Sequence, residues 1–256
     1  MIPKRYIDKY YPRDRFDGTL QFYTRIRSRL GKDMKVLNMG CGLPSRNPIK
    51  VLKGEASCII GADVDPGAGM NDEVDEVYIY DGNTFPFREK EFDIVYCDFV
   101  MEHIEYPVEF MREIRRVLKP GGIFFFRTPN RFHYVPIATR LIPRRWHDRL
   151  SKVLRNLSSE DGKTYPTFYA CNSKSQIVKV ATSAGFHQYS ITLEWIECEP
   201  SYLLFSWPTF IVGLVYERVV NASSLLKYFR SNIFCVIKNI YPNEGETALE
   251  KYYPRQ

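Results

Sequence analysis

Val36-Leu37-Asn38-Met39-Gly40-Cys41-Gly42 is an apolar run that breaks into a glycine turn. Asp63, 21 residues after Gly42, closes a second such run, Ile59-Ile60-Gly61-Ala62-Asp63. A third, Phe92-Asp93-Ile94-Val95-Tyr96-Cys97, leads into Asp98-Phe99-Val100-Met101-Glu102-His103. Apolar runs separated by helix-length intervals predict parallel strands joined by crossovers. In an open parallel sheet, ligands lie outside the carboxyl ends of the strands, where the strand order reverses. Glycines at 40 and 42 let the backbone turn sharply and approach such a ligand closely. A carboxylate about 20 residues on suits a ribose diol, because it accepts hydroxyl hydrogen bonds. Asp63 fits that role, with Asp65 a near rival. The pattern therefore points to a nucleotide-type cofactor.

Two cofactor classes use this layout, dinucleotides and S-adenosylmethionine. A dinucleotide cradle wants G-x-G-x-x-G/A. Here the third small residue falls on Ser45, directly after Pro44, which makes a poor pyrophosphate site. The remaining motifs decide by resemblance. Val36–Gly42, Ile59–Asp63, Asp81-Gly82-Asn83-Thr84-Phe85-Pro86-Phe87 with Glu91–Val95, Asp98–His103, and Arg116-Val117-Leu118-Lys119-Pro120-Gly121-Gly122 occur in the family's order. The chain resembles a class I S-adenosylmethionine-dependent methyltransferase of the type-11 group, over roughly residues 34–130 and more loosely 171–195 and 231–238.

The resemblance implies a Rossmann-like α/β fold: a doubly wound, mostly parallel seven-stranded sheet with an antiparallel last strand. Helical or loop insertions would follow strand five and separate the last two strands. It implies S-adenosylmethionine as cofactor, held by Asn38, Gly40, Cys41 and Gly42, by Asp63 at the ribose, by Asp81 near the adenine amino group, and by Val64, Gly82, Asp98 and Phe99. Two positions depart from the family pattern. Asn38 stands where an acid is usual, and Pro44 replaces a third glycine. Since proline is tolerated at the first helical position, a helix is expected to start at Pro44.

Hydrophobic residues make up 45% and aromatics 15% of the 256, ample for one domain core. The expected division is an N-terminal helical cap, residues 1–33, and a methyltransferase domain, 34–256. Six cysteines without a C-x-x-C pair read as reduced, buried thiols. Four histidines without paired spacing predict no metal site. Met1-Ile2-Pro3-Lys4-Arg5 opens without an apolar signal core, so a cytoplasmic protein is expected.

Phe16, Leu20, Tyr23, Ile26 and Leu30 recur at helical spacing. Strands are expected at 35–39, 57–63, 76–80, 92–97, 123–128 (read as wholly apolar), 186–195 and 232–238. Helices are expected at 107–118, opened by Pro107, and 173–184, stopped by Gly185.

Two segments exceed a minimal domain. Residues 131–155 hold seven cations against Asp148 alone, a surplus equal to the whole chain's +6. A basic stretch of this kind is either a solvated surface helix or an anion-binding flap beside the acceptor, about 131–170. The second segment, inside an apolar insertion at about 197–230, runs from Tyr202 to Tyr216, largely apolar, with Pro208 in its middle. At 15 residues it is short of a bilayer span, which takes about 20. Its plain reading is a helix packed over the acceptor pocket or a dimer surface. The functional reading is an interfacial segment dipping into lipid headgroups.

Candidate general bases are His103, after strand four, and His133, after strand five. Tyr134, Arg144 and Arg145 are candidate acceptor contacts, and Glu102 reads as structural. The leading expectation is methyl transfer to an oxygen or nitrogen of a glycan, lipid-linked or small-metabolite acceptor, by a monomer or homodimer with a peripheral membrane contact. An RNA methyltransferase is the runner-up, although no RNA-binding module is recognisable and Asp98-Phe99-Val100-Met101 stands where an N-P-P-Y-like tetrapeptide would. A catalytically degenerate binding scaffold is the third reading. A dinucleotide oxidoreductase is the most distant.

Overall fold

The computed structural model describes residues 2–141, 165–198, 203–204 and 206–240, with the backbone alone for 138–141. Its centre is a seven-stranded sheet in the order β3-β2-β1-β4-β5-β7-β6. The strands are β1 (Lys35–Met39), β2 (Cys58–Asp63), β3 (Glu76–Ile79), β4 (Phe92–Asp98), β5 (Leu118–Pro129), β6 (Ile191–Ile196) and β7 (Asn232–Lys238). β7 runs antiparallel between β5 and β6, whereas the pairings among β1 to β5 are parallel. The expected fold is borne out, and the order reverses between β1 and β4, so the ligand crevice falls at their carboxyl ends.

The helices are α1 (Lys4–Tyr10), α2 (Arg13–Phe16), α3 (Gly18–Arg27), α4 (Pro107–Val117), α5 (Tyr134–Leu141), α6 (Lys174–Ser183) and α7 (Trp207–Ala222). Local chemistry sets their ends. Asp17 caps α3, its Oδ1 accepting the Leu20 N–H at 2.9 Å. Pro107 opens α4, which buries Phe110, Met111, Ile114 and Val117 at helical spacing. α6 ends before Gly185, at φ +94°, where a side chain would be strained. Ser206 caps α7 and Pro208 falls in its first turn, where a missing N–H costs nothing. That explains a proline amid an apolar run.

The core has two main layers. α4 and α6 cover one face of the sheet through Phe110, Ile114, Ile177 and Val180. α3 covers the other through Phe22, Tyr23 and Ile26. A third, small cluster joins Ile2, Tyr11 and Phe16 to Phe210 of α7.

Two expectations are corrected. No helix follows the glycine turn: residues 40–50 are turns and irregular chain. Pro44 and Pro48 restrict that stretch, Arg46 is left-handed at φ +53°, and the amides a helix would present go elsewhere. The Glu73 carboxylate accepts the Ser45 and Arg46 N–H groups at 2.9 and 2.6 Å. The expected wholly apolar fifth strand also contains Arg127, which is buried.

Candidate active site

β1 delivers Met39 to the carboxyl edge, and Gly40 turns there at φ +72°. A Cβ at Gly40 would lie 2.4 Å from Val100 Cγ2, so the turn packs directly on the loop after β4. Gly42, at φ +56°, would meet nothing within 4 Å, which leaves the space over the turn open. Asp63 fixes this turn from β2. Its Oδ2 accepts the Gly42 N–H at 2.8 Å and its Oδ1 the Asp65 N–H at 2.8 Å. An ionised carboxylate has about four acceptor sites. Asp63 therefore keeps capacity for a ligand hydroxyl. Asn71, which sequence reasoning missed, donates from Nδ2 to the Cys41 and Gly42 carbonyls, each at 3.0 Å. Burial, and then the Asp63 charge, push the Cys41 thiol up to about 12, so it is inert.

Next to this turn lies an exposed apolar step. Val64 follows Asp63, and a Cβ on Gly82 would reach Val64 Cγ1 at 3.5 Å. The exposed Asp81 accepts the Asn83 N–H at 2.9 Å, which holds its carboxyl below the usual range. An apolar platform edged by an acceptor is what a purine with an exocyclic amine requires. Asn38 is half-buried, one residue before Met39.

Asp98 behaves differently. Its carboxylate forms a two-point pair with Arg127, whose Nη2 donates at 2.9 Å and whose Nε makes the second bond. The Tyr23 hydroxyl donates to it at 3.3 Å, and Arg127 also donates to Thr19 Oγ1 at 2.9 Å. Asp98 thus ties α3 to β4 and β5. Phe99 is left-handed at φ +59°, unusual for an aromatic residue. Arg127 covers its ring at 4.4 Å.

The loop after β4 carries His103. Its Nδ1 lies 2.8 Å from the Pro166 carbonyl oxygen. Because that oxygen only accepts, Nδ1 is the donor in this contact and Nε2 is the ring nitrogen left outside it. Residues 165–172 run across this edge as a strap. The Tyr165 hydroxyl donates to Asp65 Oδ2 at 2.8 Å. The Phe168 N–H donates to the Glu102 carbonyl at 2.8 Å. Glu102 itself is buried, and burial lifts its carboxyl to about 7 although Thr128 Oγ1 donates to it at 3.0 Å. The structural reading of Glu102 agrees with these contacts.

His133 and Tyr134 follow β5 but not at an open surface. His133 is buried, its Nε2 3.6 Å from Glu197 Oε1, and its ring meets Tyr134 at 4.1 Å and Tyr216 of α7 at 5.5 Å. Burial, then the Glu217 carboxylate, push the neighbouring Tyr11 phenol well above its ordinary range. Beyond Asn130 and Phe132, a cavity of about 480 Å³ is lined also by Ser173, Lys174, Lys179, Trp195 and Tyr228. A larger hollow, about 540 Å³, contains Lys35 and Glu91 and none of the turn residues. Arg144, Arg145 and the 142–164 part of the basic flap expected at about 131–170 lie outside the described residues. Among the described residues no cluster suits a metal ion.

Residues 37–126 match the family model of a methyltransferase domain. That stretch of the chain is similar to the methyltransferase domain of S-adenosylmethionine-dependent enzymes. A Mycolicibacterium smegmatis protein named "Probable S-adenosylmethionine-dependent methyltransferase" is 34% identical over 119 residues, covering 44% of this chain and 45% of its own length. The chain thus spans under half the length of the curated relatives it matches. Haemonchus contortus phosphoethanolamine N-methyltransferase 2, solved with S-adenosyl-L-methionine, superposes with a TM-score of 0.55 at 16% identity, over 88% of this chain and 53% of that one. Streptomyces coelicolor geranyl diphosphate C-methyltransferase, solved with S-adenosyl-L-homocysteine, gives 0.52 at 11% identity, over 88% and 79%. These likenesses carry the fold.

Proposed function

We propose that the protein is a methyltransferase that transfers the methyl group of S-adenosylmethionine to an oxygen or nitrogen nucleophile of a glycan, lipid-linked or small-metabolite acceptor. One observation carries the reading: a glycine turn with open space above it, anchored from below by an Asp63 carboxylate that retains acceptor capacity. When bound, S-adenosylmethionine supplies an electrophilic methyl on a sulfonium, whose departure leaves a neutral thioether. The protein supplies position and proton transfer. Gly40 and Gly42 take the cofactor against backbone, Asp63 takes the ribose hydroxyls, and Val64, Asp81 and Gly82 take the adenine. Residues 1–33 form a cap, in which Tyr23 and Thr19 hold the Asp98–Arg127 pair.

His103 is the proposed base. The Pro166 carbonyl engages its Nδ1, so Nε2 is the atom that receives an acceptor proton. His133 and Tyr134 shape the far wall. The cavity beyond them favours a phosphate-bearing glycan: Lys174 and Lys179 offer cations, and Phe132, Trp195 and Tyr228 offer ring faces. We place the protein in the cytoplasm, in peripheral contact with membrane.

Calorimetry with S-adenosylmethionine tests the reading, on wild type and Asp63→Ala, with NADH as control. Micromolar binding by wild type alone supports it. Binding of neither cofactor refutes it and returns the chain to the scaffold reading.

A further inference from the structure

α7 has two contrasting faces. Phe210, Gly213, Glu217 and Val220 are buried. The opposite face exposes Trp207 (46%), Ile211 (53%), Val212 (63%), Val215 (56%) and Val219 (50%). Four of these recur every four residues, a continuous ridge along one side of the helix. Leu225 (81%) extends the ridge into the turn beyond. Exposed apolar groups this close together mark an interaction surface.

Charge says what the surface meets. The one acid of α7, Glu217, is turned inward, where Arg218 pairs with it at 2.7 Å. The ridge itself therefore carries no anion. α1 lies alongside, with the Tyr6 ring edge-on to Trp207 at 5.0 Å and the Arg218 Nη2 donating to the Tyr10 carbonyl at 3.1 Å. That contact brings the exposed Lys4, Arg5 and Lys9 to the border of the ridge, against Asp8. At the other end Lys227 and Arg230 turn inward, Lys227 over the Trp195 ring at 5.4 Å and Arg230 donating to the Trp195 and Val220 carbonyls at 3.1 and 3.3 Å, so the basic border lies on the α1 side. Residues 2–16 as a whole hold five cations and two acids.

We infer that the outer face of α7, bordered by the exposed cations of α1, docks on an anionic lipid surface with the helix lying in the plane of the headgroups. A ridge of branched aliphatic residues and one tryptophan enters the acyl boundary, and the lysines and arginines beside it meet lipid phosphates. The helix cannot cross instead. At 1.5 Å per residue its length is about 24 Å, short of a hydrocarbon core of about 30 Å. No described helix is long and apolar enough to span a membrane. β6 before it and β7 after it also pair in one sheet, which holds both ends on one side. A second copy is the poorer occupant, because a two-fold contact through this ridge would bring two basic borders together. The inference rests on the peripheral membrane contact proposed above and does not depend on the cofactor. It does concern the acceptor, since Tyr216 on the same helix contacts Tyr134 at 4.8 Å, next to the loop after β5.

The test is vesicle flotation of the full chain on phosphatidylcholine with and without phosphatidylserine. Wild type is expected to float with the anionic vesicles and far less with the neutral ones, and less again in high salt. Ile211→Ser with Val215→Ser, both exposed, is expected to lower partitioning about tenfold, as removing several buried methyl groups should. Its melting temperature and its S-adenosylmethionine binding are expected to stay at the wild-type values. Lys4→Glu with Lys9→Glu is expected to abolish the preference for phosphatidylserine. Brominated lipid is expected to quench tryptophan emission in wild type and not in Trp207→Phe. Wild type that does not float, equal flotation by the Ile211/Val215 variant, or quenching that survives Trp207→Phe overturns the inference. So does a dimer in light scattering that the Ile211/Val215 variant breaks. None of these results touches the methyltransferase reading, which stands or falls with calorimetry.

Discussion

Asp63 ends β2 and Asp98 ends β4, on either side of β1 and on the same edge of the sheet. In sequence the two look alike: an acid that closes an apolar run, followed by an apolar residue. In the structure Asp63 holds backbone amides, whereas Asp98 holds a guanidinium and a phenol. Amide donors orient a carboxylate without cancelling its charge. Arg127 cancels the charge of Asp98 and shares its burial. Place on the strand therefore marks the neighbourhood of a ligand, but the partners already present decide which carboxylate still has something to offer it.

That contrast can be broken most forcefully at Asp98. Asp98→Ala leaves Arg127 buried without a counter-ion, which should cost about 3–5 kcal/mol in chemical denaturation. A cost under about 1 kcal/mol would mean that the pair is solvated and the contrast false.

Glu102 offers a third carboxylate, with neither set of partners. Its carboxyl is lifted from an ordinary 4.5 to about 7 by burial. Between those values the folded form holds a proton that the unfolded form has released. Stability should therefore fall as pH rises through that window, by up to roughly 3 kcal/mol. Glu102→Gln keeps an acceptor for Thr128 and should flatten the slope, as read from urea midpoints at a series of pH values.

Gly40→Ala sharpens the case for the turn. It forces an alanine to φ +72° with its Cβ on Val100, and should cost about 1–3 kcal/mol. Val100→Ala in the same chain should recover the clash but not the strain.

Asp63→Ala carries the smallest stability effect, about 1–2 kcal/mol for two orphaned amides. Its loss of S-adenosylmethionine affinity should be about tenfold or more, since one hydrogen bond to a charged group is worth about 1.5–3 kcal/mol. A melting loss as large as that of Asp98→Ala would erase the distinction between the two acids.

The strands and the glycine turn were legible because apolar runs and glycine turns are local signals, whereas the doubly wound sheet with its antiparallel last strand came from the family resemblance. β7 falls at 232–238, as its composition predicts. What was hidden depends on partners distant in sequence. Arg127 is passed over in a strand read as wholly apolar, and nothing near it names Asp98, 29 residues earlier, as its mate. Glu73 takes the amides that would have begun a helix at Pro44, and no pattern links the two. Asn71 and Tyr165 grip the crevice loops from outside every motif. The apolar segment at 202–216 could be read as packed or as interfacial, and α7 has one buried apolar face and one exposed apolar face, which its composition alone does not separate.

The place of β7 also sets a timetable for synthesis. β6 pairs with β7 alone among the described strands, and β7 also covers the outer edge of β5. As the chain leaves the ribosome, β6 therefore emerges before any strand exists to receive it. Until Asn232–Lys238 follow, two strand edges remain open to other chains. A ribosome that stalls within α7 would release a protein with its glycine turn complete and its sheet unsealed.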